Sequence, residues 1–306
     1  MTLGEAYREG RRLLEAAGIE SPAFDAGCLF RQAFGLDRVQ RTLRSAEEAD
    51  PAGTGRYLRA ARERAGGRPL QYILGEWPFL GLTLSVGEGV LIPREETELL
   101  VRTAVGLLRA EPEPGRRPPP GRRPPPGRRP PPRVLDLCAG TGAVALGIAS
   151  LLPGARVTAA EKYEEAFAYL ARNIRRTGLA SVAAVRLDAL DPAAAEGFED
   201  LDGLVSNPPY VRSGEIASLQ DEVRREPREA LDGGGDGLRF YRAIARIWLP
   251  RLKPGGAAAV EIGEGQAGAV EKLFSGALCG IRVFRDLYGV PRVLTGRKLP
   301  QTLAPK

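Results

Sequence analysis

The segment Val134-Leu-Asp-Leu-Cys-Ala-Gly-Thr-Gly142, followed by the apolar run Ala143 to Leu151, decides the fold of this chain of 306 residues. A short apolar strand that ends in a glycine loop and enters a helix is typical of a doubly wound parallel sheet. At the carboxyl edge of such a sheet, the loop glycines let backbone N–H groups approach a ligand. A dinucleotide fingerprint would need a third glycine near position 145, where Ala145 stands, so an NAD site is disfavoured.

A carboxylate follows the glycine loop at the spacing that a nucleoside ligand requires. Glu161 comes directly after the second predicted strand, 19 residues after Gly142. An acid at that place can accept hydrogen bonds from both ribose hydroxyls. A glycine loop alone is as often only a tight turn, and a single acid is as often only a solvated charge. The two together, at this spacing, predict a nucleoside cofactor.

Strands and helices alternate from residue 134 onward. This alternation predicts an α/β fold, a doubly wound and mainly parallel Rossmann-like sheet of seven strands that is covered on both faces. The predicted strands are Val134 to Leu137, Arg156 to Ala160, Val182 to Leu187, Leu201 to Ser206, Ala257 to Ile262, Ile281 to Phe284 and Val293 to Thr295.

Three further regions set the domain organisation. Residues 1–70 have apolar side chains at helical spacing, which predicts a small N-terminal helical domain. Residues 71–92 contain strand-like residues punctuated by glycines, which predicts a β-hairpin connector. Residues 93–306 then form the α/β domain, interrupted at 111–132 by a proline- and arginine-rich, low-complexity insertion.

The insertion carries most of the net charge of +6. It contains the hexapeptide Gly-Arg-Arg-Pro-Pro-Pro three times, starting at Gly115, Gly121 and Gly127, and its prolines exclude helix and interior strand. One interpretation is an arginine-rich arm that binds RNA. The favoured one is a duplicated spacer tolerated in a surface loop, because the remainder of the chain is nearly neutral.

The residues that are missing exclude several kinds of chemistry. The chain has no histidine, which excludes a Ser-His-Asp triad, a Cys-His pair and a histidine-ligated metal. Its three cysteines, Cys28, Cys138 and Cys279, are far apart, so neither a disulfide framework nor a thiolate metal site is expected. No apolar run is long enough to span a membrane, and the first residues do not resemble a signal peptide. We therefore expect a cytoplasmic protein without a metal or a membrane partner.

The tetrapeptide Asn207-Pro-Pro-Tyr210 follows the fourth predicted strand directly. An amide or aryl amine attacks poorly unless acceptors hold both of its N–H hydrogens and leave the lone pair directed at the electrophile. The side-chain oxygen of Asn207 and the carbonyl of Pro208 can be those acceptors, and the ring of Tyr210 can pack on the flat group. A proline-rich turn is the plainer interpretation. The position at a strand end favours a site for a planar nitrogen nucleophile.

These residues resemble the class I S-adenosylmethionine-dependent methyltransferases, and among them the HemK/PrmC glutamine methyltransferases of peptide-chain release factors. The resemblance covers nearly the whole chain. Its most specific segments are Arg68-Pro-Leu-Gln-Tyr-Ile-Leu-Gly75, Val90-Leu-Ile-Pro-Arg-Glu-Glu-Thr-Glu98, Asn207-Pro-Pro-Tyr-Val211, Glu226-Pro-Arg-Glu-Ala-Leu-Asp-Gly-Gly234 and Asp286-Leu-Tyr-Gly-Val-Pro-Arg292. The family loop usually reads Asp-Leu-Gly-Thr-Gly-Ser-Gly, whereas here Cys138 and Ala139 replace its first Gly-Thr pair.

The resemblance implies methyl transfer from S-adenosylmethionine to the glutamine side-chain amide of the Gly-Gly-Gln motif in class-one release factors. It implies a helical substrate-recognition domain and a monomeric enzyme that needs no stable nucleic-acid partner. It places the cofactor against Cys138, Ala139, Gly140, Thr141, Gly142, Glu161, Asp188, Ala189 and Asn207. It assigns substrate binding and catalysis to Asn207, Pro208, Pro209 and Tyr210.

Three alternatives share parts of this pattern. A glutamine methyltransferase of a large-subunit ribosomal protein has the same motifs. A DNA adenine methyltransferase needs the same acceptors for its exocyclic amine, but it also needs a basic face to grip phosphates, which the near-neutral folded part does not offer. An RNA-binding protein that uses the arginine-rich arm would leave the glycine loop, Glu161 and Asn207 without a role.

Overall fold

The computed structural model describes residues 1–110 and 130–300. The insertion predicted at 111–132 lies outside the described residues except for its last three. The chain divides into two compact units. The smaller comprises Met1–Trp77, Val86–Glu88 and Leu219–Arg225, and the larger comprises Pro78–Ser85, Gly89–Ser218 and Glu226–Lys306. None of the helices in the described part is both long and apolar enough to cross a membrane.

The smaller unit is helical, as the apolar spacing predicted. Its helices are α1 (Leu3–Ala16), α2 (Pro22–Phe34), α3 (Arg38–Leu43), α4 (Pro51–Ala65) and α5 (Leu70–Leu74). Thr2 and Asp37 begin α1 and α3 with capping boxes, in which each side chain accepts a hydrogen bond from a backbone N–H that the helix leaves unpaired. An aromatic pair lies in the otherwise aliphatic buried core. Phe30 packs edge-on against Tyr57, with ring centroids 5.3 Å apart, and both side chains are fully buried.

A buried ion pair crosses this helical core. Arg64 on α4 donates from Nε to Asp25 Oδ2 on α2 at 2.6 Å, and both residues are about 95% buried. The same guanidinium is also paired with Glu222 from the segment Leu219–Arg225. Burial raises the pKa of Asp25 even though Arg64 opposes the shift. The charge of Arg64 is therefore what keeps two carboxylates together inside this unit.

The connector between residues 71 and 92 differs from the prediction. Strands occupy only β1 (Glu76–Phe79) and β2 (Leu82–Ser85), which form a two-stranded sheet. The strand-like interpretation of residues 71–74 was wrong, because Leu70–Leu74 forms the short helix α5 that ends at Gly75 with φ 74°. Four or five residues are too few for their apolar pattern to distinguish a helical turn from a strand.

The larger unit is the predicted α/β fold. Its remaining elements are α6 (Glu95–Arg109), β3 (Arg133–Leu137), α7 (Ala143–Leu151), β4 (Arg156–Glu161), α8 (Glu164–Thr177), β5 (Val182–Arg186), β6 (Leu201–Ser206), α9 (Arg239–Ala243), β7 (Leu252–Glu261), α10 (Ala267–Phe274), β8 (Leu278–Arg285) and β9 (Pro291–Lys298). The seven-stranded sheet has the order β5-β4-β3-β6-β7-β9-β8. All neighbours are parallel except β9, which runs antiparallel to β7 and β8. The fold class is confirmed.

The strand order places a topological switch point beside β3. The chain moves outward from β3 to β4 and β5, and then returns to the other side of β3 as β6. Successive side chains of β3 belong to two apolar layers, one on each face of the sheet. Val134 packs in the cluster with α6, α7 and α8, whereas Leu135 and Leu137 pack in the cluster with α9 and α10. In such open sheets the crevice outside the carboxyl ends at the switch point is where ligands bind.

The chain leaves the described part at Ala110 and re-enters it at Pro130, and both points lie toward the amino ends of the parallel strands. The carbonyl of Ala110 accepts a hydrogen bond from Arg297 Nη2 at 3.1 Å, and Arg297 pairs with Ala257 in the β7–β9 ladder. The carbonyl of Pro132 accepts a hydrogen bond at 2.9 Å from the N–H of Arg156, the first residue of β4.

Candidate active site

A cavity of about 410 Å³ opens at the carboxyl ends of β3, β4, β5 and β6 in the larger unit. Its size lies within the range of small-molecule sites. Most of the residues singled out from the sequence line it: Cys138, Ala139, Gly140, Thr141, Glu161, Asp188, Ala189, Asn207 and Pro209. Gly142, Pro208 and Tyr210 lie next to this lining in the chain but are not part of it.

The glycine loop connects β3 to α7 in a left-handed path. Cys138, Gly140 and Gly142 all have positive φ, at 60°, 55° and 83°. Gly142 is the N-cap of α7, and a Cβ there would stand 2.6 Å from Leu170 Cδ1, so this position requires glycine. Gly140 has open space around it, since a Cβ would meet only Val90 at 3.9 Å. The loop therefore leaves room for a ligand at Gly140 and packs tightly at Gly142.

Glu161 ties the glycine loop to the end of β4. One carboxylate oxygen accepts the N–H of Gly140 at 2.9 Å, and the other accepts the N–H of Tyr163 at 2.8 Å. Each carboxylate oxygen has two acceptor sites, so both oxygens keep capacity for a further donor. Burial raises the pKa of Glu161, although these backbone N–H groups oppose the shift. The side chain is thus a buried acceptor that stands between the loop and the cavity.

Two more acids lie near the glycine loop, and one of them, Asp188, lines the cavity. Asp136 is fully buried, and its Oδ2 accepts the N–H of Ala145 at 3.0 Å, whereas its Oδ1 has no hydrogen-bond partner within residues 1–110 and 130–300. Burial raises the pKa of Asp136 well above the usual range of an aspartate. Asp188 is paired with Lys162 at 2.8 Å. Burial alone would raise the pKa of Asp188, but the pairing with Lys162 outweighs burial and lowers this pKa. Acceptors grouped in this way suit a ligand that brings hydroxyl donors.

Cys138 shows how this chain accommodates a side chain where the family loop has glycine. Its φ of 60° lies in the left-handed region, which costs a residue with a Cβ roughly 1–2 kcal/mol. Burial, reinforced by Glu161 and Asp136, raises the pKa of its thiol well above the ordinary value. The thiol is therefore neutral at physiological pH and faces the cavity as a small polarisable group.

We expect Cys138→Gly to leave the free energy of unfolding within about 1 kcal/mol of the wild type. Relief of the left-handed strain offsets the larger chain entropy of glycine in the unfolded state. The matched control is Cys28→Gly, because Cys28 lies inside the regular helix α2, where glycine costs about 1 kcal/mol in propensity alone. Urea unfolding of both variants checks this. Equal destabilisation by the two substitutions would show that Cys138 is not strained.

The Asn207–Tyr210 segment begins where β6 ends. Ser206 fixes this end, because its hydroxyl donates to the carbonyl of Leu137 on β3 at 2.7 Å. Pro208 and Pro209 are buried, and Asn207 and Tyr210 are partly exposed. Gln266 holds the segment from the other side by donating from Nε2 to the carbonyl of Tyr210 at 2.9 Å.

Two polar residues that the sequence analysis did not single out contact this segment. Asn207 donates from Nδ2 to Thr97 Oγ1 at 3.2 Å, and the hydroxyl of Thr97 donates to Glu261 Oε2 at 2.7 Å. The hydroxyl of Tyr210 donates to Glu261 Oε1 at 3.3 Å. The position of Glu261 was a usable signal, since a buried acid at the carboxyl end of a strand beside β6 points to the same edge of the sheet.

The buried carboxylate of Glu226 contacts residues 90–94, which form one wall of the cavity. Glu226 Oε2 accepts the N–H of Ile92 at 2.9 Å, and its other oxygen is paired with Arg94. Both segments belong to the sequence motifs quoted above, although no role was predicted for Arg94 or Glu226. Glu226 links two distant segments that both line the cavity, so it acts as a structural brace.

Family models and solved structures agree with this architecture. A model described as the PrmC N-terminal domain matches residues 5–75, and one described as the methyltransferase small domain matches residues 128–239. The catalytic domain of hMettl16 superposes with a TM-score of 0.53 at 17% identity, covering 80% of this chain and 84% of that chain. A methyltransferase from Pyrococcus furiosus gives a TM-score of 0.50 at 17% identity, covering 72% and 90%. At this identity the structures show the fold alone.

Sequence relatives are more specific. The release factor glutamine methyltransferase of Moorella thermoacetica is 39% identical and covers 89% of both chains. The proteins of the same name from Geobacter sulfurreducens and Corynebacterium glutamicum are 37% and 35% identical, and cover 94% and 98% of this chain. With whole-length similarity to these proteins and a methyltransferase fold around the cavity, the chain belongs to the family of release factor glutamine methyltransferases.

Proposed function

We propose that this protein uses S-adenosylmethionine to methylate the side-chain amide nitrogen of the glutamine in the Gly-Gly-Gln motif of class-one release factors. The observation that carries the proposal is the orientation of Asn207. Its side-chain N–H2 group is turned toward Thr97, and among the described residues no donor occupies its Oδ1, which can accept a hydrogen bond at the cavity. An acceptor at this place is what an amide nucleophile needs.

The cavity suits the proposed cofactor. Glu161 retains acceptor sites for the two ribose hydroxyls, and the open space at Gly140, beside Cys138, Ala139 and Thr141, receives the methionine end. Asp188 and Ala189 border the adenine side. When bound, S-adenosylmethionine would supply a methyl group on a positively charged sulfur, which makes the methyl carbon an electrophile.

The protein's own task is to orient the nucleophile. Asn207 Oδ1 and the carbonyl of Pro208 accept the two amide hydrogens of the glutamine, which leaves the nitrogen lone pair directed at the methyl carbon. Proline brings no N–H that would compete at this point. The nitrogen would form a bond to the methyl carbon as the carbon–sulfur bond breaks, with the electron pair of that bond staying on sulfur, and the nitrogen would then lose one proton to water. A general base is not needed for this, which agrees with the absence of histidine.

The decisive experiment is incubation with methyl-labelled S-adenosylmethionine and a purified class-one release factor, followed by mass-spectrometric mapping. We expect label at the glutamine of Gly-Gly-Gln and none when this glutamine is replaced by alanine. Large-subunit ribosomal proteins and adenine-containing DNA are assayed in parallel, because they are the substrates of the two alternative enzymes. Label on either of these, with none on the release factor, would contradict the proposal. The substrate further implies that the enzyme works in the cytoplasm.

The two functions of Tyr210 can be separated by substitution. Tyr210→Phe removes only the hydroxyl that donates to Glu261, and we expect a loss of a few-fold in kcat. Tyr210→Ala also removes the ring proposed to pack on the substrate amide, and we expect a further loss of at least about tenfold. Steady-state kinetics on the release factor measure both. Equal losses in the two variants would exclude a role for the ring.

A further inference from the structure

Four polar side chains form a continuous hydrogen-bonded chain at the carboxyl edge of the sheet. It runs from Asn207 through Thr97 to Glu261 and ends at Tyr210, with distances of 3.2, 2.7 and 3.3 Å. Thr97 lies on α6, Glu261 is the last residue of β7, and the other two follow β6. Thr97 and Glu261 are only 3% and 2% exposed, so bulk water does not compete for their hydrogen bonds.

The direction of the hydrogens along this chain is determined at Glu261. An ionised carboxylate can only accept, so the single hydroxyl hydrogen of Thr97 must point at Glu261 Oε2. The side of Thr97 Oγ1 that faces Asn207 then carries only lone pairs. Asn207 can satisfy it only with Nδ2, and its Oδ1 must consequently point the other way.

We propose that Glu261 is a positioning residue: through Thr97, its carboxylate fixes the side-chain amide of Asn207 in the orientation that accepts a hydrogen bond from the substrate amide. The inference rests on the proposed function, in which Asn207 Oδ1 meets the N–H2 group of a glutamine. Neither Glu261 nor Thr97 needs to touch the substrate for this effect.

Protonation of Glu261 removes the constraint. A neutral carboxyl group can donate to Thr97, whose hydroxyl hydrogen is then free to turn toward Asn207. Asn207 satisfies that donor by rotating its amide, which brings its own N–H2 group to the cavity. Two N–H2 groups would then face one another, and the substrate amide would lose an acceptor.

The surroundings of Glu261 place this change near neutral pH. Burial raises the pKa of Glu261 to about 7, although the donors Thr97 and Tyr210 oppose the shift. The other groups that face it are the charges of Glu96 and Arg292, the latter paired with Asp286, and the hydroxyl of Tyr241, which donates to the backbone carbonyl of Glu261 at 2.9 Å. The ionised form exists above the pKa, so the correctly oriented Asn207 is fully populated only at higher pH.

The first test is the pH dependence of kcat on the release factor, measured from about two units below to about two units above pH 7. We expect wild-type kcat to rise about tenfold through this range, because turning the misoriented amide of Asn207 back costs about one hydrogen bond, which is less than the loss of the acceptor altogether. Glu261→Gln resembles the protonated state, because its amide can turn either a donor or an acceptor to Thr97. Its kcat should stay near the low plateau at every pH.

Thr97 supplies the matched pair of variants. Thr97→Ser keeps the hydroxyl and should retain both the rate and its rise with pH. Thr97→Val keeps the shape without the hydroxyl, and should give a low kcat that does not depend on pH. Circular dichroism verifies that each variant is folded. If Glu261→Gln or Thr97→Val keeps the wild-type pH profile, the proposal is wrong, because another group then causes the rise.

A second readout does not depend on catalysis. The side-chain ¹⁵N–¹H signal of Asn207, assigned by its loss in Asn207→Ala, should titrate with a midpoint near pH 7 in the cofactor-free wild type and stay constant in Glu261→Gln. A signal that does not titrate in the wild type would overturn the proposal. If the signal titrates but the release factor is never methylated, the positioning by Glu261 stands and the proposed substrate is wrong.

Discussion

Asn207→Ala is expected to lower kcat on a release factor by about 10²–10³-fold, the cost of removing one preorganised hydrogen-bonding group at a reacting centre. The substitution also leaves Thr97 without its donor, but it does not alter the glycine loop or Glu161. The dissociation constant for S-adenosylmethionine should therefore change by less than about threefold. Calorimetry and single-turnover kinetics measure the two quantities separately.

The control for Asn207→Ala is Ser213→Ala, which removes another polar side chain from the cavity lining. The hydroxyl of Ser213 donates to Asp232 and has no part in the proposed chemistry. We expect its kcat to stay within about threefold of the wild type. A large loss of S-adenosylmethionine binding in Asn207→Ala would show that Asn207 mainly holds the cofactor. The family resemblance also places Asn207 among the cofactor contacts.

Arg64→Ala is expected to destabilise the smaller unit by about 3–5 kcal/mol, because it leaves the buried carboxylate of Asp25 without its cation. The loss should be smaller at low pH. Burial raises the pKa of Asp25, and a protonated Asp25 no longer needs a positive partner. Urea unfolding gives the free energy, and hydrogen exchange over Pro51–Ala65 locates the loss in α4.

Arg68→Ala is the matched control for Arg64→Ala. Arg68 is paired with Glu63 and Glu88, but its side chain is about one third exposed and water screens both pairs. Its removal should cost at most about 1 kcal/mol. If the two arginine variants are equally stable, the buried pair contributes no more than a surface pair, and the smaller unit does not depend on it.

The sequence was most informative where function depends on strand ends. Asn207 and Glu161 were singled out as candidates because each lies at the end of a strand, a position that the apolar pattern marks without any knowledge of tertiary contacts, and both line the cavity. Seven strands and the mainly parallel sheet were predicted for the same reason. The short helix Leu70–Leu74 was missed, because five residues are too few to show a period.

Thr97 and Glu261 could not be paired with Asn207 from the sequence alone. They stand 110 residues before Asn207 and 54 residues after it, and they meet only because α6 packs on β7 beside the end of β6. The left-handed backbone of Cys138 was equally hidden, since residue type does not report φ. Only the replacement of a family glycine indicated that this position is unusual.

The two ends of the segment that spans residues 111–129 are attached toward the amino ends of the parallel strands, whereas the cavity opens at the carboxyl ends. β3 has five residues, so about 16 Å of strand separates its first residue from the glycine loop. We therefore expect that length and composition can change at that junction without displacing the residues that line the cavity. The same junction is accordingly the position where we expect an affinity tag or a reporter domain to be tolerated in protein engineering.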